Sequence, residues 1–351
     1  MLKLNQKQQR IIGIFLEKGK MQSSDVHREM VKTGETVSLV TIKRVLSEMA
    51  SKEVLITTGS GRSTNYNLSS KGRIFSDIDA KQYIAVEPDK RYGLRQYNFN
   101  LLKSLPSNIF TDDEQKKLET STAEYRRRTA DLSEAIQKKE LERLVIELSW
   151  KSSKIEGNTY TLLDTEKLIL ENKEAPGHSK EEAQMILNHK DAFNYIKKAR
   201  TQFRTVTRKN LEELHAILVK DLSVAFGLRT KPVGVTGSIY RPLDNKYQIS
   251  EAVDELSAVV SGLSTPYAKA LIALLAISYI QPFEDGNKRT VRLMANALLV
   301  SHSLAPLSYR SVEEEDFHSA TMVFYELNSI VPMKRIFIGQ YAFAAQNYAV
   351  K

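Results

Sequence analysis

The stretch from Ala270 to Ile280 is the most apolar in the chain, and it is only 11 residues long. A bilayer-spanning helix takes about 20 apolar residues, so this one fits the inside of a globular fold. It stops at Gln281-Pro282, because proline disfavours helical geometry in the residue before it. Asp285-Gly-Asn287 supplies turn chemistry, and Arg289 to Leu299 resumes a helix with Val291, Met294, Ala295 and Leu298 on its inner face. The expectation is a turn between two buried helices.

At such a helix start the free backbone N–H groups and the positive end of the dipole attract an anion, and Gly286 lets the chain approach it closely. Lys288, Arg289 and Arg292 add positive charge, with Arg289 and Arg292 one turn apart on the same face. Asp285 beside them is an oxygen ligand suited to Mg²⁺. Asp-Gly-Asn alone would fit a capped helix with surface arginines. The acidic residue among three cations beside an apolar helix points instead to a polyphosphate with its metal.

Helical periodicity runs through most of the chain after Lys138: Leu141 to Ile155, Thr165 to Glu171, Lys180 to Ala199, Lys209 to Leu218, Ile249 to Ser261 and Tyr267 to Ile280 all read as helices. Val233 to Pro242 is the exception. Its β-branched residues and glycines read as an irregular hairpin or flap. With no cysteine, a disulfide framework or thiolate zinc site is excluded, and the six histidines form no His-x-x-x-His pair. The polar N-terminus lacks the apolar core of a signal peptide, so a cytoplasmic, membrane-free protein is expected.

Gln281-Pro-Phe-Glu-Asp-Gly-Asn-Lys-Arg-Thr-Val-Arg292 resembles the signature of the Fic family, H-P-F-x-D-G-N-[G/K]-R-x-x-R, and departs only at its first position. Two further stretches resemble the family in the expected order. Gly237-Ser238-Ile239-Tyr240-Arg-Pro242 is similar to its flap, whose exposed strand edge aligns a target segment. Ser152-Ser-Lys-Ile-Glu156-Gly157 is similar to its inhibitory-helix motif, [S/T]-x-x-x-E-[G/N]. The resemblance covers about residues 140–345, and Tyr325-Glu-Leu-Asn328 reads like part of the family's last helices.

The resemblance implies an all-α domain that binds ATP with Mg²⁺ and transfers AMP to a hydroxyl side chain of a target protein. Asp285 would hold Mg²⁺, the Gly286-Asn287-Lys288 turn would cradle the α-phosphate, and Arg289 and Arg292 would take the distal phosphates. Phe283 would anchor the loop in the core. Glu156, four residues after Ser152, would pair with Arg292 and block seating of the γ-phosphate. The family's first position is a histidine that acts as general base. Gln281 stands there, and an amide cannot accept a proton at neutral pH. Ordinary AMP transfer is therefore expected to be weak, altered or lost. His189 and His215, on amphipathic helices, read as structural histidines, with approach to the site as the alternative.

Net charge is +9, and residues 1–75 carry 13 Lys+Arg against 6 Asp+Glu. This segment reads as helices over Gln6 to Lys18, Ser23 to Val31 and Val37 to Lys52, then strands Val54–Thr58 and Asn65–Leu68 around a glycine turn. It resembles the winged helix-turn-helix family. That implies DNA contact by Ser38, Thr41, Lys43 and Arg44 in the groove and Arg62 at the wing tip. The fold class expected is mainly α: a helical Fic domain with a β-hairpin flap, plus a small N-terminal α+β winged-helix domain. Residues 1–75 form the latter, 76–135 a helical connector and 136–351 the former, including the inhibitory helix. The alternative function is a transcription regulator that uses the Fic domain for ligand sensing or dimerisation, which allows for a homodimer.

Overall fold

The structure is a computed structural model in which residues 3–350 are described; Met1, Leu2 and Lys351, the outer ends of the expected N- and C-terminal regions, lie outside the described residues. Packing divides the chain into two units. The first takes in the chain up to Leu105, Val235–Arg241 and Glu315–Lys334; the second takes in Pro106–Gly234, Pro242–Glu314 and the residues from Arg335 onward.

The first unit begins with helix α1 (Gln6–Lys18), strand β1 (Met21–Gln22), α2 (Ser23–Lys32), α3 (Leu39–Ser51), β2 (Leu55–Thr58) and β3 (Asn65–Leu68), followed by short helices α4 (Ser70–Ile74) and α5 (Ala80–Ile84). Asn5 and Gln8 close a capping box on α1, and Gly19 ends it at φ +73°, a value that only glycine adopts cheaply. Ile11, Ile12, Phe15 and Leu16 are buried as their spacing requires. Gln22 stands at the N-cap of α2, and its backbone N–H donates to Asp25 Oδ2 at 3.3 Å.

The sheet has order β1-β3-β2, all antiparallel, with Leu55 opposite Leu68 and Met21 opposite Tyr66. The two-residue β1 carries too short a pattern to be read from sequence. The core under this sheet also takes in Tyr83, Val323 and Leu327, so it extends beyond residue 75.

Within Val233–Pro242 the chain forms turns and one isolated parallel bridge, Gln96 to Arg241, rather than paired hairpin strands. Gly237 turns at φ +76°, and Ile239 and Tyr240 are buried rather than presented at an open edge. A fully buried carboxylate, Glu326, causes this. It accepts hydrogen bonds from the Ser238 hydroxyl (2.7 Å), the Ile239 N–H (3.2 Å), Arg91 (3.0 Å) and the Tyr83 hydroxyl (2.8 Å). Four donors satisfy a buried carboxylate better than strand pairing could.

The second unit is helical: α6 (Asp112–Thr129), α7 (Glu134–Lys154), α8 (Leu162–Glu171), α9 (Lys180–Lys198), α10 (Arg208–Leu218), α11 (Lys246–Gly262), α12 (Pro266–Ile280) and α13 (Asn287–Ser301). Helix α14 (Glu314–Leu327) lies almost wholly in the first unit, and α15 (Val331–Asn347) continues into the second. Residues Ala270 through Ile280 of α12 are all buried, which explains the unbroken apolar run, and α13 packs along α12. Among the described residues no helix is long and apolar enough to cross a membrane.

Candidate anion-binding loop

Helix α12 ends where Gln281 turns left-handed, φ +51° and ψ +61°, with its N–H still donating to Ile277 O at 3.0 Å. Buried Arg229 fixes the next two residues: its Nε donates to Gln281 O at 2.6 Å and its backbone N–H to Pro282 O at 3.0 Å. Asn287 then closes the loop on itself. Its Oδ1 accepts from Phe283 N–H at 2.9 Å and its Nδ2 donates to Phe283 O at 2.7 Å. Phe283 is fully buried and stacks on the His215 ring, centroids 3.7 Å apart and planes 6° from parallel.

Gly286 sits at φ +76°, and a Cβ there would meet Val219 Cγ1 at 3.3 Å. Both backbone angle and space favour glycine. Asp285 O accepts from His215 Nε2–H at 3.0 Å. The carbonyls of Gln281, Pro282, Phe283 and Asp285 and the Asn287 side chain are thus spent on holding the loop's shape, and the first-turn N–H groups of α13 have no preceding helical carbonyl to donate to.

The cations converge here. Arg292 is fully buried; its Nε donates to Ser152 Oγ at 2.9 Å, Nη2 to Ser152 O at 2.8 Å, and Nη1 lies 2.8 Å from Glu156 Oε1. Lys288 Nζ lies 3.3 Å from Glu156 Oε2. Burial opposes ionisation of Glu156, but Arg292 and Lys288 together outweigh it and hold the carboxyl below its usual range. Glu156 lies just beyond the end of α7, where Gly157 turns the chain at φ +90°.

Arg289 is buried, its Nη2 3.3 Å from Asp285 Oδ2, and its Nη1 is buried with no hydrogen-bond partner. Burial pulls its pKa down, against the opposing pull of Asp285 and Glu156. A guanidinium nitrogen in that state lacks an acceptor, and an anion at the start of α13 would provide one. Asp285 is 65% exposed at its side chain, open to a cation. No cluster of three or more histidine or carboxylate ligands occurs among the described residues, so a Mg²⁺ ion here would take Asp285 together with phosphate and water oxygens. The residues present fit a polyphosphate and its metal.

Gln281 is buried, and its amide Nε2 donates to Ser278 O at 2.8 Å. Neither histidine replaces a base. His215, buried under the loop, has its pKa lowered to about 4, chiefly by burial, and its outer hydrogen already goes to Asp285 O. His189 is lowered to about 3 by burial and by Arg292 and Arg289. Both are enclosed, neutral and structural.

The structure therefore brings Ser152, Glu156, Asp285, Gly286, Asn287, Lys288, Arg289 and Arg292 into one cluster. Gly237 to Tyr240 belong to the other packing unit and are held there by Glu326. Sequence reasoning missed Arg229 and Glu326. Each lies in an unremarkable local stretch, and its partners are distant in the chain.

Comparison with known proteins agrees with this geometry. Residues 205–299 match the Fic/DOC family. A protein adenylyltransferase Fic of Drosophila willistoni is 31% identical over 156 residues, 44% of this chain and 31% of that protein. The protein of the same name from Drosophila melanogaster is 27% identical over 239 residues, 60% of this chain and 46% of that one. The chain thus matches less than half the length of these relatives. A Fic family protein from Desulfovibrio desulfuricans superposes with a TM-score of 0.58 at 20% identity, covering 69% of this chain and 75% of that one. The helical fold is that of Fic proteins of known structure. The segment from α10 to α13 is similar to the Fic/DOC family and to adenylyltransferases of that name.

Proposed function

We propose that this protein binds ATP with Mg²⁺ at the loop from Asp285 to Arg292, and that its transfer of AMP to protein hydroxyls is slow in the wild type. The observation that carries the binding half is Arg289 Nη1, buried without a partner at the start of α13. Bound there, the nucleotide supplies an activated AMP group with pyrophosphate as leaving group. Asp285 would hold the metal, the first-turn N–H groups of α13 would hold the α-phosphate, and Arg289 and Arg292 would hold the distal phosphates. Gln281 can donate a hydrogen bond but cannot take the proton of an attacking hydroxyl.

Isothermal titration with ATP–Mg²⁺ tests the binding half. Removing a charge-assisted hydrogen bond costs about 1.5–3 kcal/mol, so Arg289→Ala should weaken ATP binding roughly tenfold to a hundredfold. Equal affinity in the variant and the wild type would remove the site.

A second reading is that residues 1–75 contact DNA and that the Fic domain serves as a sensing or dimerisation body. Its supports are the excess of basic residues in this segment and the order α1, β1, α2, α3, β2, β3. Lys43, Arg44 and Arg62 are exposed, while Ser38 caps α3, accepting from Thr41 N–H at 3.2 Å. Retention on duplex DNA that falls steeply with salt is expected, and Lys43→Ala with Arg44→Ala should flatten that slope. No retention even at low salt would end this reading.

A further inference from the structure

A cavity open to solvent on one side lies in the helical unit, among the C-terminal ends of α6, α9 and α13 and the segment that follows α13. Its volume is about 350 Å³, within the range of small-molecule sites. The walls are mainly apolar, with Tyr125, Phe193 and Leu304 all buried. Three cations line it as well: Arg126, Lys197 and Arg200. No carboxylate is among the lining residues.

The partners of these cations set them apart from their neighbours. Arg127 pairs with Glu124, and Arg128 donates to the Ala345 and Gln346 carbonyls. Among the described residues Arg126 and Lys197 have no ion pair, and Arg200 has a hydrogen bond from Nη2 to Ser303 Oγ at 2.7 Å. Cations in the last turn of a helix are ordinarily explained by the negative end of its dipole, which stabilises the charged form. Lys197 shows the reverse: burial, and then Arg200, push its pKa down. Arg126 is exposed and Lys197 and Arg200 are half-buried, so water screens their repulsion only in part, and an anion seated in the cavity would pair with all three.

From this cavity we infer a binding site for a small organic anion, with an apolar body against Tyr125, Phe193 and Leu304 and a carboxylate, sulfonate or phosphate head at Arg126, Lys197 and Arg200. This is separate from the nucleotide reading and does not depend on it. An inorganic ion alone would leave the apolar walls unfilled.

The test is fluorescence titration of the full chain with 8-anilinonaphthalene-1-sulfonate and with its uncharged counterpart N-phenyl-1-naphthylamine, with native mass spectrometry for stoichiometry. One sulfonate should bind per chain, at least tenfold tighter than the neutral probe. The charge preference should fall at least tenfold in Arg126→Met with Lys197→Met. Ala130→Trp, an exposed position at the cavity, should block both probes while circular dichroism stays unchanged. Saturating ATP–Mg²⁺ and Arg289→Ala should leave sulfonate binding as it is. No binding of the sulfonate, equal affinity for the two probes, indifference to the substitutions, or displacement by ATP would each overturn the proposal.

Discussion

Incubated with labelled ATP and candidate protein targets, the double variant Glu156→Gly with Gln281→His should transfer AMP about 10²–10⁴-fold faster than Glu156→Gly alone. The wild type should label least. Two local obstacles are separable here. Glu156 lies 2.8 Å from Arg292 and 3.3 Å from Lys288, so it occupies two of the three cations that a polyphosphate would use. Glycine at 156 frees both. Arg292 keeps its two contacts to Ser152 but loses its counter-charge, which a bound polyphosphate would replace.

Gln281→His then addresses the proton. The backbone at 281 is left-handed, φ +51°, and histidine is one of the residues enriched there among those other than glycine. The substitution should therefore fit without moving Arg229 or Pro282. Strong labelling by the wild type would refute the view that Gln281 and Glu156 limit transfer. A double variant that binds ATP yet labels no faster than Glu156→Gly would show that the missing base is not what limits the rate.

The loop was legible in the sequence because its determinants are local. A proline stop, an Asp-Gly-Asn turn and three cations fall within 12 consecutive residues, and α12 announces itself by an apolar run. Asn287 was expected in the turn that cradles the α-phosphate; its side chain bonds both the N–H and the carbonyl of Phe283 and so holds that turn in shape. Arg229 left no trace because its acceptors are carbonyl oxygens, which any residue supplies. The flap segment lacks paired strands for a different reason. Val233, Val235 and Ile239 have strand propensity, but propensity is a weak local term, and Gly237 and Glu326 decide the backbone instead.

Glu326 carries the largest expected effect on stability. Its carboxylate is fully buried and accepts from Arg91, Tyr83, Ser238 and the Ile239 N–H, while Arg91 also donates to Gly237 O. Burial, first, and then the carboxylate's charge push the Tyr83 hydroxyl pKa up, so tyrosine stays a donor at any physiological pH. Glu326→Ala removes four acceptor contacts and leaves the Arg91 guanidinium buried without its counter-charge. Breaking a buried pair in this way costs about 3–5 kcal/mol, far more than the pair is worth relative to an apolar replacement.

Thermal or urea unfolding followed by circular dichroism should therefore show a large loss for Glu326→Ala and for Glu326→Gln a smaller one, because the amide oxygen still accepts from Ser238 and the Ile239 N–H while its NH2 faces the Tyr83 hydroxyl. Arg91→Met with Glu326→Leu should recover most of the loss, since neither charge is then stranded. The same series reports on the segment from Gly237 to Tyr240. Limited proteolysis there should accelerate in Glu326→Ala, because the carboxylate holds Ser238 and Ile239 directly. If Glu326→Ala unfolds within about 1 kcal/mol of the wild type, the buried network is not what fixes this segment, since losses that small are typical of surface positions.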